Sequence, residues 1–293
     1  MTNTKTTKER PLSSVEIGVM QGRLLPKYQG RYQAHPVGYW QDEFEIAAEL
    51  NLSLIEFILD LNEIELNPLM SQSGCEIISR LSTESGVKVK TVCADYLMDA
   101  PIHSPNAVVA KSSCAILKTL IANSEIVGIT DIIIPLVDQS SVASRDSQSH
   151  FITQLQPFLE IVDSAKINLN LETDLNPHAF KSFLTAIGSN RVTVNYDTGN
   201  SAGIGYKPDE EFAAYGSLIT DIHIKDRVKG GSSVVLGQGD ADFETFFKCV
   251  TNYGYSGPFI LQAYRDDEGL KIFKQQLAWF RENLKILNEK FEL

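Results

Sequence analysis

The chain has 293 residues, of which 43% are apolar and 22% are charged, a composition typical of globular proteins. Its 26 Lys and Arg against 37 Asp and Glu give a formal net charge of −11. A surface this acidic repels phosphate backbones, which argues against general nucleic-acid binding. No apolar run approaches the roughly 20 residues that span a bilayer, which argues against a membrane-spanning protein.

The N-terminal segment and the cysteines indicate where the protein works. Residues 1–14 are polar and basic with no apolar stretch, so they are predicted to form a flexible tail and not a signal peptide. Cys75, Cys93, Cys114 and Cys249 are far apart and form no CxxC pair. They are predicted to be small buried hydrophobes in a reducing compartment, and the predicted location is the cytoplasm.

Eight short apolar runs follow the tail, and each is succeeded by a longer segment with helical spacing. The strand candidates are Val15–Met20, Leu54–Leu59, Val87–Cys93, Asp131–Leu136, Ile167–Glu172, Val192–Asp197, Ile219–Ile224 and Pro258–Gln262. Between them apolar residues recur every three or four positions, which indicates helices. Eight strand–helix units without a linker favour a single (β/α)8 TIM barrel over residues 15–293, in preference to an open doubly wound sheet. The active site of such a barrel lies at the C-terminal ends of the strands.

Those strand ends carry side chains that suit a metal ion. Glu172, Asp197, His223 and Gln262 come at the ends of runs five to eight, and a barrel would point them towards a common centre. Two carboxylates, an imidazole and an amide oxygen suit Mn²⁺, Co²⁺ or Mg²⁺, and Zn²⁺ is also compatible. Any one of these residues is ordinary as a solvated or salt-bridged group. Four of them on successive strands predict a site for one divalent metal ion.

Other polar residues at the same ends are predicted to contact a small-molecule substrate. Cations such as Lys225 and Arg227 could hold a phosphate or carboxylate. Lys225 could instead pair with Asp226, and Arg265 with one of the two Asp residues that follow it. The predicted substrate contacts are Gln21, Arg23, Glu56, Asp95, Asn200, Lys225, Arg227 and Arg265. Four further histidines show no ligand spacing and are predicted to lie on the surface: His35, His103, His150 and His178.

Four segments give the chain a resemblance to a known family. They are Leu171-Glu172, Asp197-Thr198-Gly199-Asn200, His223-Ile224-Lys225-Asp226 and the Gly237-Gln238-Gly239 turn before Phe243. In this order and spacing the chain resembles the xylose-isomerase-like barrel superfamily, whose sugar phosphate isomerases and epimerases share a fold with endonuclease IV. The resemblance implies a metal held by Glu172, Asp197 and His223. The family's fourth ligand is a Glu, and this chain departs from it with Gln262.

The resemblance also implies a type of chemistry. Ketose 3-epimerases of the family use two Glu residues as acid and base on opposite faces of the substrate. The amide of Gln262 has no useful proton affinity near neutral pH, which argues against a symmetric two-base epimerisation and leaves one-base chemistry. Glu172 would remove a proton next to a carbonyl, with a metal-stabilised enediolate as intermediate. The expected function is a divalent-metal-dependent isomerase or epimerase of a small sugar, sugar phosphate or related hydroxy-ketone.

Three alternatives remain open at this point. The same enediolate could lose a β-hydroxyl, which would make the chain a dehydratase. Gln262 is compatible with a barrel that binds a sugar without converting it. A nuclease of the endonuclease IV type needs a His-rich three-zinc cluster, and Asn200 and Asp95 stand where it would need His. The expected partner is a small carbohydrate, with no nucleic acid and no membrane, and related barrels often form homo-oligomers.

Overall fold

Eight parallel strands close into a barrel in the structure, a computed structural model that describes residues 15–291. Around the barrel the order is β1-β10-β7-β6-β5-β4-β3-β2, so each strand pairs with its neighbours in the chain apart from a small hairpin, β8–β9. The strands are β1 Ile17–Met20, β2 Leu54–Ile58, β3 Thr91–Cys93, β4 Asp131–Leu136, β5 Asn168–Thr173, β6 Val192–Asp197, β7 Ile219–Ile224, β8 Asp226–Arg227, β9 Ser233–Val234 and β10 Phe259–Leu261. The predicted fold class is confirmed. The predicted tail, residues 1–14, lies outside the described residues.

Helices form the outer layer of the barrel. They are α1 Asp42–Glu49, α2 Gln72–Ser85, α3 Tyr96–Asp99, α4 Ala107–Val127, α5 Arg145–Ala165, α6 Pro177–Ile187, α7 Thr198–Ile204, α8 Pro208–Tyr215, α9 Phe243–Asn252 and α10 Leu270–Phe291. Their apolar stripes face the strands; in α5, for example, the buried residues are Phe151, Leu155, Phe158 and Val162. Burial of these stripes against the sheet holds the two layers together.

The connection between β1 and α1, residues 21–41 (the β1–α1 loop), is held to the barrel by the side chains of Arg265 and Glu43. The guanidinium of Arg265 donates to the carbonyl oxygens of Gly22, at 2.7 Å, and Leu25, at 2.8 Å. The carboxylate of Glu43 accepts the Gly22 N–H at 2.6 Å. Because Gly22 has φ +80°, a conformation that L side chains rarely adopt, the turn between these anchors favours glycine.

The surface prediction is wrong for two of the four histidines. His35 is 2% exposed and His103 is 8% exposed. The imidazole of His35 contacts the Gln21 side chain through Nδ1 at 2.9 Å, and its backbone N–H donates to Asp60. The β1–α1 loop therefore folds inward at His35, and burial lowers the pKa of His35 to about 4.

A buried carboxylate supports the region behind β6. Glu211, at the end of the first turn of α8, accepts hydrogen bonds from the hydroxyls of Tyr196 at 2.9 Å, Ser201 at 2.8 Å and Tyr215 at 2.8 Å. These hydroxyls come from β6, α7 and α8, so one side chain ties three elements together. Burial raises the pKa of Glu211.

The cysteines are all free thiols, and three of them are buried, as predicted; Cys114 is partly exposed. Within residues 15–291, none of the helices combines the length and the apolar character that crossing a bilayer requires.

We expect His35→Asn to weaken the acid sensitivity of the fold. In the unfolded chain His35 takes up a proton below about pH 6.5, whereas the folded protein holds it neutral down to about pH 4. Stability is therefore lost as the pH falls through this window, by about 3 kcal/mol in total. Urea unfolding of the wild type and variant between pH 7 and pH 4.5 measures the difference. His178→Asn, at an exposed position, is the control; equal pH dependence in wild type and His35→Asn would contradict the assignment.

We expect Glu211→Leu to destabilise the protein by about 3 kcal/mol or more, because it leaves three buried hydroxyls without their acceptor. Glu210→Leu is the matched control on the same helix. Its carboxylate lies at the surface, 3.9 Å from Lys207, and such pairs contribute about 1 kcal/mol at most. Urea denaturation of both variants at pH 7 makes the comparison, and equal losses in the two variants would show that the buried network contributes nothing.

Candidate metal centre

Three ligand-type side chains meet where β5, β6 and β7 end. Asp197 pairs directly with His223 in the ladder between β6 and β7, and Glu172 lies on the adjoining β5. Nδ1 of His223 is 3.6 Å from Oε2 of Glu172 and 4.0 Å from Oδ2 of Asp197. All three side chains are buried, and one donor atom from each lies within 4.8 Å of the others. The barrel thus brings together three of the four predicted metal ligands.

Asp197 has two roles because its two oxygens face different ways. Oδ1 caps α7 and accepts the backbone N–H groups of Gly199 and Asn200, both at 2.8 Å. This is the usual function of Asp before a helix. The cap holds the carboxylate still and leaves Oδ2 directed towards His223. The Asp-Thr-Gly-Asn segment therefore fixes a ligand and starts a helix at the same time.

Glu56 orients the imidazole of His223 through a contact with its Nε2. Nε2 lies 2.7 Å from Oε1 of Glu56, and both side chains are completely buried. A carboxylate on Nε2 keeps the ring proton there, so Nδ1 presents its lone pair to Glu172 and Asp197. Asn195 bridges the group, with Nδ2 3.0 Å from Nδ1 of His223 and 3.1 Å from Oε2 of Glu172. Glu56 was predicted to contact the substrate, and in the structure its carboxylate contacts Nε2 of His223.

The three residues fit a divalent cation. Two ligands of one ion with bonds of about 2.0–2.2 Å stand about 3–4 Å apart, close to the separations from His223 Nδ1. Two carboxylates and an imidazole nitrogen are a common donor set for such ions, and here a third carboxylate, that of Glu56, holds the imidazole. Burial, followed by repulsion from Asp197, raises the pKa of Glu172 to about 7. The ammonium of Lys225, 3.4 Å from Asp197, offsets only part of the negative charge of the two carboxylates, and a cation would offset more of it.

Gln262 and Lys225 lie on the other side of Asp197. The ammonium Nζ of Lys225 is 3.2 Å from Oε1 of Gln262 and 3.4 Å from Oδ2 of Asp197. The side chain of Lys225 passes over Gly199, where an added Cβ would lie 2.6 Å from its Cγ. The absence of a side chain at Gly199 therefore makes room for the lysine. Lys225 and Gln262 belong to the same cluster.

The alternative in which Lys225 pairs with Asp226 is not what the structure shows. The carboxylate of Asp226 accepts three backbone N–H groups, from Gly237 and Gly239 at 2.9 Å and from Ala241 at 3.1 Å. Asp226 therefore folds the turn before α9, and Lys225 stays available to the site.

Asn200 and Arg227 complete this side of the site. The amide of Asn200 donates to Oε1 of Glu172, and its carbonyl oxygen accepts from Lys225 at 3.3 Å and from Arg227 at 3.1 Å. An added Cβ at Gly203 would lie 3.1 Å from the Arg227 guanidinium, so a second glycine of α7 gives an arginine its place. Two cations and one amide thus converge beside Glu172.

The other predicted substrate contacts are engaged elsewhere. Arg265 donates to backbone carbonyls, including those of Gly22 and Leu25, and contacts its following aspartates only through their backbone oxygens. Arg23 is buried and donates to the carbonyl of Ala263 at 3.0 Å. Gln21 is also buried, and its Oε1 accepts the Ile58 N–H at 3.1 Å. None of these three residues contacts Glu172, Asp197 or His223 in the hydrogen bonds of the described region.

Gln33 of the β1–α1 loop is a residue of the site that the sequence did not predict. Its Nε2 donates to Asp95 at 2.6 Å, and its Oε1 accepts from Arg23 at 3.0 Å and from Gln262 at 3.2 Å. These contacts place Asp95 at the edge of the site. A loop residue with partners on three strand ends carries no local pattern in the sequence.

Asn195 and Asp221 were missed as well, although the sequence holds a signal for them. Both lie inside the barrel, where branched apolar residues are usual. They occupy alternate positions with Asp197 and His223 along β6 and β7, and such alternation of polar residues in a strand points one polar row inward.

Comparison with known proteins places this geometry in a family. Residues 44–283 match the family model described as the xylose isomerase-like TIM barrel. The chain is similar to the L-ribulose-5-phosphate 3-epimerase of Shigella boydii, with 25% identity over 244 residues that cover 80% of this chain and 86% of that protein.

Solved structures share the fold. A xylose isomerase domain protein from Planctomyces limnophilus superposes with a TM-score of 0.74 at 19% identity, covering 95% of this chain and 99% of that one. A structure of L-ribulose 3-epimerase gives a TM-score of 0.72 at 19% identity, covering 95% and 97%. The resemblance drawn from the four sequence segments is confirmed, since the family model spans most of the chain. The chain belongs to the xylose isomerase-like TIM barrel family.

Proposed function

We propose that the chain is a divalent-metal-dependent isomerase or epimerase of a small ketose or ketose phosphate. The observation that carries the proposal is the convergence of Glu172, Asp197 and His223, with His223 held by Glu56 so that Nδ1 faces the two carboxylates. The similarity to L-ribulose-5-phosphate 3-epimerases supports a sugar as the substrate.

The ion would be held by Glu172, Asp197 and His223, with the Gln262 carbonyl oxygen as the candidate for a fourth ligand. When bound, it supplies Lewis-acid polarisation of a substrate carbonyl. Mn²⁺, Co²⁺ and Mg²⁺ suit oxygen-rich donor sets of this kind, and Zn²⁺ is compatible with the histidine.

Glu172 would be the residue that moves a proton. One of its oxygens accepts from Asn200 and the other from Asn195, so the carboxylate is fixed in direction. A carboxylate held in this way can take a proton from the carbon next to a carbonyl. Returning that proton to the neighbouring carbon, while the hydroxyl proton passes from one substrate oxygen to the other, converts aldose and ketose without a second base at the carbon atoms.

Epimerisation needs a proton delivered from the opposite side, where the family's second Glu acts. The amide of Gln262 is too weak an acid and too weak a base to deliver that proton near neutral pH. The acid in contact with Gln262 is the ammonium of Lys225, at 3.2 Å. One-base isomerisation is therefore the simpler reaction for these residues, and epimerisation is the reaction that the relatives support.

Lys225 and Arg227 favour a substrate that carries an anion. Both approach the carbonyl oxygen of Asn200, and an ammonium beside a guanidinium is a suitable receptor for a phosphate or a carboxylate. This pair supports the phosphorylated members of the substrate class over the neutral sugars.

We expect the purified protein to retain about one Mn²⁺ per chain after metal loading and dialysis, and His223→Ala to lose it, since the variant removes a ligand from the centre. Plasma mass spectrometry measures the metal content. His178→Ala, an exposed histidine on α6, is the matched control and should keep the ion. Absence of the ion from the wild type would overturn the metal-dependent proposal and favour the sugar-binding alternative.

We expect Glu172→Gln to keep the metal and lose turnover by about 100-fold or more, because the amide can still ligate but cannot accept the proton. Pentuloses and their 5-phosphates are incubated with Mn²⁺ in D₂O, and NMR follows both product and deuterium incorporation. Glu160→Gln, at an exposed position of α5, is the control. An active Glu172→Gln enzyme would exclude Glu172 as the base, and a product that has lost water would identify a dehydratase.

A further inference from the structure

An amide–amide hydrogen bond joins the β1–α1 loop to the candidate metal centre. Nε2 of Gln262 donates to Oε1 of Gln33 across 3.2 Å. An amide can usually turn over and exchange its donor for its acceptor. Here charged neighbours determine the orientation of both amides, so Gln262 is the donor of this hydrogen bond and Gln33 is the acceptor.

Gln33 is held by one group that can only donate and one that accepts. The guanidinium of Arg23 donates to Oε1 at 3.0 Å, and Oδ2 of Asp95 accepts from Nε2 at 2.6 Å. Arg23 is itself anchored to the Ala263 carbonyl, and the other oxygen of Asp95 accepts from the Cys93 thiol at 3.1 Å. Gln33 therefore presents an acceptor to position 262, and the residue there must supply a donor.

The opposite end of Gln262 faces a second obligatory donor. The ammonium of Lys225 lies 3.2 Å from Oε1 of Gln262, so the carbonyl is turned to Lys225 while the NH₂ group is turned to Gln33. A carboxylate at this position would have an acceptor for Lys225 but no hydrogen for Gln33. Two oxygens would then stand at hydrogen-bond distance in a partly buried place, which is unfavourable.

We propose that Gln33 is a positioning residue that reserves position 262 for an amide and turns the Gln262 carbonyl oxygen towards the ion held by Glu172, Asp197 and His223. The inference rests on the proposed function for the ion, while the pairing of the two amides stands without it. Gln262 is then a neutral ligand whose NH₂ group donates to Gln33 of the β1–α1 loop. The Glu that the family has at this position could not donate that hydrogen bond.

A double-mutant cycle on the metal-free protein tests the pairing. The variants are Q33L, Q262E and Q33L/Q262E, and thermal unfolding is measured in EDTA at pH 7.5. Q262E is expected to lower Tm by about 4 °C with Gln33 present and by about 1 °C in the Q33L background, where the opposing oxygen is gone. Q41L, the same substitution at an exposed residue of the same loop, should leave the effect of Q262E unchanged.

A second cycle removes both amides without adding charge. In Q33L/Q262M the loss in Tm should be smaller than the sum of the two single losses, because each single variant leaves one amide of the partly buried pair without its partner. If Q33L/Q262E does not fold, this second cycle tests the pairing of Gln33 with Gln262. Additive losses in a cycle whose variants fold would overturn the inference.

Metal affinity tests the effect on the centre. Free Mn²⁺ is followed by electron paramagnetic resonance during titration of each variant. A carboxylate binds Mn²⁺ better than an amide, and Q262E should gain about tenfold more affinity in the Q33L background than with Gln33 present. An equal gain in both backgrounds overturns the role of Gln33 at the metal. Coupled Tm values with no Mn²⁺ bound by the wild type overturn the proposed function and support the amide pairing alone.

Discussion

Buried negative charge is the constraint on which this site depends. Glu56 and Asp221 are completely buried, Asp197 is 3% exposed and Glu172 is 6% exposed, and all four lie around His223. Removing a carboxylate from water costs several kcal/mol unless a cation or hydrogen bonds replace the solvent. Burial accordingly raises the pKa of Glu56 and Glu172 to about 7 and that of Asp221 well above its usual range. Lys225 offsets part of this charge through Asp197, and a divalent ion, as proposed for this site, would offset more of it.

The fold tolerates this charge because the barrel interior is divided. One part of the interior is filled by an apolar cluster that packs as an ordinary barrel core: Met20, Leu54, Ile58, Cys93, Ile133 and Ile260. The polar row comes from β5 to β7, where Asn170, Asn195 and His223 alternate with outward-facing apolar residues. The apolar part holds the strand ends in place, so the side chains of Glu172, Asp197 and His223 on the polar part stay directed towards one another.

The sequence predicted the barrel because each strand is a local signal. Three of the eight predicted strands have the observed bounds, for example Val192–Asp197, since turn residues and polar caps mark both ends. The third run is the poorest match: of Val87–Cys93 only Thr91–Cys93 is a strand, because the first residues approach β2 through a single bridge between Lys88 and Leu54. Apolar runs show which residues are buried, and hydrogen-bond pairing decides which of them form a ladder.

The site was predictable where a side chain is directed by its own strand. Glu172, Asp197 and His223 follow from strand ends and alternation, and the structure brings them together. Arg265 could not be placed in this way, because the carbonyls that engage it belong to a loop at the other end of the chain. The surface prediction for His35 failed for the same reason, since a loop carries no periodicity that reports which of its residues turn inward.

Gln262 shows why a departure from a family pattern cannot be interpreted at one position alone. The Glu that the resemblance implies at this position is replaced in this chain by the uncharged amide of Gln262. In the structure it is one half of an amide pair whose other half, Gln33, is 229 residues away and precedes the segment 44–283 that matches the family model. Because Arg23 and Asp95 fix the direction of Gln33, the loop determines which chemical group position 262 can carry. A barrel of this kind keeps its ligands on the strands and varies through its loops, so a change in the loop and a change at the strand end belong to a single adjustment of the site.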